Sequence, residues 1–122
     1  EKLNNLNLPG VKFIDVKYRP SGSIYHTRAP KYDGQSCSGI GLDITDLNDF
    51  NPLVTATTVM LMIHKLHPRE FRWEQDGYID KLFGSDMLRV TASQKKSPDH
   101  LPAQWAQDVY KFSEFRQQFL IY

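Results

Sequence analysis

The segment that most constrains how this chain can fold is NPLVTATTVMLMIHKL, residues 51–66. Asn51 and Pro52 are residue types that begin helices, and Pro68 ends the pattern because the residue before a proline avoids helical angles. Apolar residues recur here at helical spacing: Leu53, Ala56, Met60 and Ile63. Others widen this stripe to most of the circumference, so we expect a central buried helix at about 51–66. It is too short to span a bilayer.

The composition indicates one globular domain over residues 1–122. Hydrophobic residues make up 40% of the chain and charged residues 24%, ordinary values for a domain with its own core. The net charge of +1 argues against a nucleic-acid partner, which usually meets a basic stripe. Cys37 is the single cysteine, so no internal disulfide and no thiolate metal cluster can form. We expect no metal, no cofactor and no membrane span.

Two segments before the central helix have the composition of strands. Val11–Tyr18 is rich in β-branched and aromatic residues, and Gly39–Thr45 alternates apolar with small or polar residues. Gly39 and Gly41 leave room for another backbone or a ligand to come close. A two-stranded sheet is marginal, so we expect partner strands from Leu120–Tyr122 or from a part of the protein outside this chain.

The remaining pattern is helical and sets the fold class. It predicts short helices, a polar linker and a long C-terminal helix: Tyr78–Phe83, Asp86–Ala92, the linker at 94–97, and the helix at about 102–118. Trp73 and Trp105 lie in apolar patterns and are expected to pack in the core. The sequence therefore predicts an α+β fold, with a small sheet packed against the central helix at 51–66 and the long C-terminal helix.

The least regular segment, residues 24–38, holds the candidate ligand-binding residues. Irregular segments in compact domains carry function more often than cores do. This one combines basic, aromatic and amide side chains, which suit an anionic, hydroxyl-rich ligand. The candidates are His26, Arg28, Lys31, Tyr32 and Gln35. The alternative is an exposed loop with ordinary charges, or one docked on another domain.

The residues that could form a catalytic site also have non-catalytic explanations, which we favour. Glycoside hydrolysis needs two carboxylates about 5–10 Å apart. The candidates are Asp33, Asp43, Asp46 and Asp49. Aspartate is a common turn residue, so Asp46 and Asp49 are interpreted as turn caps and Asp43 as facing water. Cys37 beside His26 suits a nucleophile and its base, yet free cysteine is more often a small buried hydrophobe.

A histidine pair on the central helix has the spacing of metal ligands. His64 and His67 are three residues apart, which suits a metal ion. No third ligand is recognisable, and a positive charge near a helix C-terminus is favourable in itself. We therefore assign no metal to this pair.

A set of short motifs, in order along the chain, resembles one bacterial family. The motifs are Leu8–Phe13, Gly34–Gly39, Leu42–Asp46, His67–Trp73, Ile79–Asp86, Trp105, Phe112 and Phe119–Tyr122. Together they resemble the C-terminal domain of the exo-β-N-acetylmuramidase family, the NamZ-like or YbbC-like proteins. The resemblance covers essentially the whole chain.

The resemblance implies that residues 1–122 are the C-terminal domain of a longer two-domain protein, after an N-terminal Rossmann-like catalytic domain. Such glycoside hydrolases release N-acetylmuramic acid from the non-reducing end of peptidoglycan fragments. Their principal catalytic glutamate lies in the N-terminal domain, so no catalytic residue is assigned here. The loop at 31–39 matches a family stretch that faces the interdomain cleft. The resemblance also implies that many members carry Glu-x-Cys-Gly-Gly where this chain has Gln35–Gly39.

On this basis we expect an accessory domain that adds one wall to a substrate cleft. The lactyl carboxylate of a peptidoglycan-derived sugar would pair with Arg28 or Lys31, and its ring would lie on Tyr32. The resemblance further implies a bacterial, periplasmic or extracytoplasmic protein of cell wall degradation and muropeptide recycling. The alternative is a stand-alone, non-catalytic module that binds carbohydrate or protein.

Overall fold

The computed structural model describes residues 1–22 and 30–121. Within them the elements are β1 Val11–Tyr18, β2 Cys37–Ile44, α1 Pro52–Leu66, α2 Tyr78–Phe83, α3 Met87–Ser93 and α4 His100–Gln117. The chain divides into two compact units, residues 1–51 with both strands and residues 52–122 with these four helices. The α+β class is confirmed. The single-domain organisation and the packing of the sheet on the central helix remain predictions.

The sheet of the first unit pairs β1 with β2 in antiparallel register, from Val11 opposite Ile44 to Tyr18 opposite Cys37. The prediction that Gly39 and Gly41 leave room for a ligand is wrong. A Cβ placed on Gly41 would lie 2.7 Å from Val16 Cγ1, and one on Gly39 would lie 2.9 Å from the Tyr18 ring. Side chains of β1 therefore fill the space above both glycines.

The N-terminal segment covers the free edge of β1 through one side chain. Asn4 Nδ2 donates to the carbonyl oxygen of Phe13 at 2.9 Å, and the Phe13 N–H donates to Asn4 Oδ1 at 2.8 Å. The amide thus takes the place of a neighbouring strand for one residue. Leu3, Val11 and Phe13 are buried. This contact explains why the polar start of the chain is ordered onto the sheet.

Helix α1 begins and ends within one residue of the predicted limits, but it buries a different set of side chains. Its buried residues are Thr55, Thr57, Thr58, Leu61 and Met62, whereas three members of the predicted stripe are exposed: Leu53, Ala56 and Ile63. Thr57 Oγ1 lies 2.8 Å from the Leu53 carbonyl oxygen and donates to it. A threonine hydroxyl satisfied in this way can be buried without an unpaired polar atom.

The core of the helical unit forms where α1, α3 and α4 meet. Its buried residues are Leu61, Leu88, Ala92 and Leu101. Trp73 and Trp105 are half-buried against this cluster, which confirms the prediction that both pack in the core. Arg89 of α3 donates to both carboxylate oxygens of Asp80 on α2, with the shortest bond at 2.6 Å. This bidentate ion pair connects the two short helices, α2 and α3.

Helix α4 begins at His100, two residues before the predicted limit. Pro102 falls in its first turn, where the missing N–H would have no helical partner in any case. Every residue of α4 from Ala106 onward is exposed. Of the two expected sources of partner strands, the C-terminal one is wrong for the residues described, because residues 119–121 form no strand and Ile121 is 96% exposed.

The start of α4 carries a pH-dependent contribution to stability. The Ser97 hydroxyl, hydrogen-bonded to the Asp99 carboxylate, holds the pKa of Asp99 below its usual value, and a backbone hydrogen bond adds to this. A carboxyl with a lowered folded-state pKa stabilises the fold above its unfolded pKa of about 4, and this contribution is lost as the pH falls through the folded value. We expect Ser97→Ala to lower the melting temperature at neutral pH, and this difference to shrink in acid. Thermal unfolding of both proteins across the acid range checks it, and a difference independent of pH contradicts it.

Candidate functional site

The predicted binding residues lie in the connection between β1 and β2. His26 and Arg28 fall outside the described residues. Lys31, Tyr32 and Gln35 are all exposed. Lys31 Nζ lies 5.2 Å from the centre of the Tyr32 ring, the distance of a cation–π contact. The structure therefore brings Lys31 and Tyr32 together at the surface, with Gln35 following in the same turn.

Two hydrogen bonds close this connection at its base. The Gly34 N–H donates to the Pro20 carbonyl oxygen at 2.8 Å. The Gly22 N–H donates to Asp33 Oδ1 at 3.1 Å. These bonds tie the chain leaving β1 to the chain entering β2. The carboxylate of Asp33 therefore has a structural role. The two hydrogen bonds hold together the ends of the turn that carries Lys31 and Tyr32.

Tyr32 is held in a backbone conformation that tyrosine rarely adopts. Its φ is +64°, in the left-handed region that favours glycine or asparagine. The turn is closed by the Gln35 N–H, which donates to the Tyr32 carbonyl oxygen at 3.0 Å. A strained residue of this kind is a reason to look for a function of its side chain. The sequence pattern contains no signal for this conformation.

The structure describes the surroundings of the other carboxylates and of the cysteine that were weighed as catalytic groups. Asp46 Oδ1 accepts from the Asn48 N–H at 2.8 Å, which confirms it as a turn cap. Asp43 and Asp49 are exposed. Cys37 is half-buried, and its Sγ lies 3.8 Å from the Gln35 carbonyl oxygen. None of these contacts prepares a nucleophile or a general base.

His64 belongs to an aromatic cluster. Its ring stacks on Trp73 with centroids 5.9 Å apart and meets the edge of Phe71 at 5.3 Å. His67 is exposed. Over residues 1–22 and 30–121, no group of three or more histidine, cysteine, aspartate or glutamate side chains could hold a metal ion. In the same part of the chain, no helix combines the length and apolar character needed to cross a membrane.

A basic pocket in the helical unit was missed by the sequence reasoning. Its volume is about 260 Å³. The apolar residues that line it are Leu61, Pro68 and Ala92, and the basic ones are His64, Lys65, Lys95 and Lys96. The one available signal was the pair of lysines directly after α3, in the segment interpreted as a polar linker. These lining residues come from two separate stretches of the chain, which only the fold brings together.

Comparisons with known proteins identify the family of the chain. It is 32% identical over 122 residues to the Peptidoglycan beta-N-acetylmuramidase NamZ of Bacillus subtilis (strain 168). The match covers all of this chain and 28% of that relative. No solved structure matches the chain. The family model described as Exo-beta-N-acetylmuramidase NamZ, C-terminal, matches residues 1–122. Because this match extends over the whole chain, the chain belongs to the NamZ C-terminal family, as its ordered motifs predicted.

Proposed function

We propose that this chain is the C-terminal accessory domain of a glycoside hydrolase that removes N-acetylmuramic acid from the non-reducing end of peptidoglycan fragments. The observation that carries the proposal is the family match over residues 1–122. The chain spans 28% of a relative that is named a peptidoglycan beta-N-acetylmuramidase. The rest of such a protein would supply the catalytic glutamate, in the expected N-terminal Rossmann-like domain.

Within this proposal, the turn at Pro30–Gln35 forms one wall of the substrate cleft. Lys31 offers an ammonium group to the lactyl carboxylate, and Tyr32 offers a ring face to the sugar. Three observations support this role: both side chains are exposed, they contact each other, and the turn is anchored at its base. His26 and Arg28, in the same connection, would add further donors.

The same residues support an accessory role over a catalytic one. Gln35 has an amide where the family resemblance implies a carboxylate in many members, and an amide cannot act as a general acid or base. Asp33 and Asp46 are engaged as acceptors for backbone N–H groups. A retaining or inverting glycosidase needs two free carboxylates across the bond. The domain would therefore position the sugar, and the chemistry would belong to the partner domain.

The proposal extends to cellular context. A protein that cuts N-acetylmuramic acid from peptidoglycan fragments would act in cell wall degradation and muropeptide recycling. Its substrate arises outside the cytoplasm, which favours a periplasmic or extracytoplasmic location. Fractionation of cells that carry the whole protein tests this location directly.

Lys31→Ala in the whole protein is expected to lower kcat/KM for release of N-acetylmuramic acid by about tenfold. One charge-assisted hydrogen bond to a ligand contributes roughly 1.5–3 kcal/mol, and about 1.4 kcal/mol is a factor of ten in rate. The measurement is hydrolysis of a chromogenic N-acetylmuramic acid glycoside. Lys12→Ala is the matched control, because Lys12 is also an exposed lysine and lies at the opposite end of β1 from this connection.

A second variant separates contact from folding. Tyr32→Gly removes the ring and relieves the left-handed backbone, so the protein should stay at least as stable while kcat/KM falls. Unchanged turnover in both Lys31→Ala and Tyr32→Gly would show that the turn does not touch the sugar. Tight binding of N-acetylmuramic acid to the 122-residue chain by itself would instead support the stand-alone binding module.

A further inference from the structure

We propose that the basic pocket of the helical unit binds a small organic acid, a carboxylate carried on a short apolar body. The site lies at the C-terminal ends of α1 and α3, and none of its lining residues belongs to the turn at Pro30–Gln35, so the proposal does not depend on the proposed function. The pocket's volume of about 260 Å³ is just below the range of roughly 300–1,000 Å³ for drug-sized ligands. This volume limits the ligand to a compact molecule.

The charge of the pocket selects an anion. Lys65, Lys95 and Lys96 line it, and no acidic side chain among the described residues does. Among the described residues, ion pairs join Lys81 to Asp76 and Arg89 to Asp80, and none involves the three pocket lysines. Three lysines lining one concavity create a positive potential that a carboxylate would neutralise through charge-assisted hydrogen bonds.

The remaining lining residues select an apolar body and are held in place before any ligand binds. Leu61 and Ala92 belong to the buried core cluster, so their positions are set by the packing of the unit. The His64 ring packs against both Trp73 and Phe71. Pockets with mostly apolar walls and a few placed polar groups are typical small-molecule sites. A rigid wall also lowers the entropic cost of binding.

Lys95 gives an independent reason to connect this pocket with a ligand. It follows Gln94, the C-cap residue of α3, and its φ is +53°. Glycine is the usual residue at this position, because a left-handed backbone is unfavourable for other side chains. The chain here carries a lysine and places it in the pocket lining. Next to it, Lys96 Nζ lies 3.1 Å from His100 Nε2, a residue outside the pocket lining.

A structural explanation of the lysines makes the opposite prediction for one variant. Lys65 lies in the last turn of α1, and Lys95 follows the end of α3. Cations near helix C-termini stabilise helices by themselves. If that were the only role of Lys95, its replacement by glycine would leave anion binding unchanged. If Lys95 is a ligand-binding residue at a strained position, Lys95→Gly raises stability and weakens binding.

The test uses the full 122-residue chain with hexanoate as the probe, and with hexan-1-ol and hexylammonium as neutral and cationic counterparts. Binding is followed by calorimetry and by NMR shifts of the Ala92 and Leu61 methyl groups. We expect hexanoate to bind with a dissociation constant on the order of 1 mM, as for other fragment-sized ligands. We expect hexylammonium not to bind, and hexan-1-ol to bind more weakly than hexanoate.

Variants then test whether the Lys95 ammonium group contributes to hexanoate binding. Lys95→Gly is expected to weaken hexanoate binding by about fivefold and to raise the melting temperature by a few degrees. Lys111→Ala, in the exposed half of α4, is the control and should change neither value. The proposal is overturned if hexanoate fails to shift the methyl signals at ten times the expected constant, roughly 10 mM. It is equally overturned if hexylammonium binds as well, or if Lys95→Gly leaves the affinity unchanged.

Discussion

Leu101→Ala is expected to lower the free energy of unfolding of the helical unit by about 3–5 kcal/mol, near the upper end of the range for buried leucines. Leu101 is fully buried, at 0% exposure, and is the one buried residue of α4. It packs in the cluster with Leu61 and Leu88. Truncation would leave a cavity and also remove the main attachment of an 18-residue helix. Urea unfolding followed by tryptophan fluorescence measures the change, because Trp73 and Trp105 pack against this cluster.

Leu82→Ala on α2 is the matched control for this experiment. The substitution is chemically the same, but Leu82 is 67% exposed, so the expected loss is below about 0.5 kcal/mol. The slope of the unfolding curve should be unchanged in both variants, which shows that the same surface is exposed on unfolding. A similar loss in the two proteins would contradict the assignment of Leu101 as the anchor of α4.

Gly10→Ala is expected to destabilise the sheet unit by about 2–4 kcal/mol through the backbone rather than the core. Gly10 has a φ of +69°, and a Cβ there would collide with the Asp46 carbonyl oxygen and lie 2.5 Å from the Phe50 nitrogen. Both are backbone atoms, so no side-chain rotation relieves the contact. The Gly10 carbonyl also accepts the Thr45 N–H at 2.9 Å. Hydrogen exchange of the amides in β1 and β2 reports this unit specifically.

Gly34→Ala separates the two contributions to the destabilisation by Gly10→Ala, which are the cost of the positive φ and the collision of the added Cβ. Gly34 also has a positive φ, +71°, but a Cβ there would have no atom within 4 Å. Its expected loss is the conformational cost alone, about 1–2 kcal/mol. The difference between the two variants therefore measures the collision at Gly10. Equal losses would mean that the turn between Asp46 and Phe50 moves to accept a methyl group.

Local patterns were sufficient for most of the element limits. Val11–Tyr18 and Tyr78–Phe83 form a strand and a helix with the predicted limits. Their signals are β-branched content, helical spacing, and turn residues such as Pro9-Gly10 and Asp76-Gly77 at their starts. The start of α4 was displaced by two residues because Pro102 was taken as its first residue, whereas the first turn tolerates a proline.

Burial was predicted less well, because it depends on atoms far away in the chain. The apolar stripe of α1 was expected to face inwards, yet the helix buries Thr55 and Thr58 and exposes Leu53. A count of apolar residues cannot register a hydroxyl that is satisfied by a carbonyl in its own helix, as in Thr57. The side chains that fill the space over Gly39 and Gly41 come from the paired strand β1, so the sequence around the glycines does not predict them.

The candidate site also combines properties that the sequence determined with properties that only the tertiary structure decided. The sequence by itself determined the family, the α+β class and the basic, aromatic character of the connection with Lys31 and Tyr32, because these properties depend on residue type and order. Only the tertiary structure decided that these two side chains touch, that Tyr32 and Lys95 have left-handed backbones, and that three lysines from separate segments line one pocket. The pocket arises from packing between two distant segments. The contact and the left-handed backbones depend on the backbone and rotamer angles within each turn, which residue order alone does not determine.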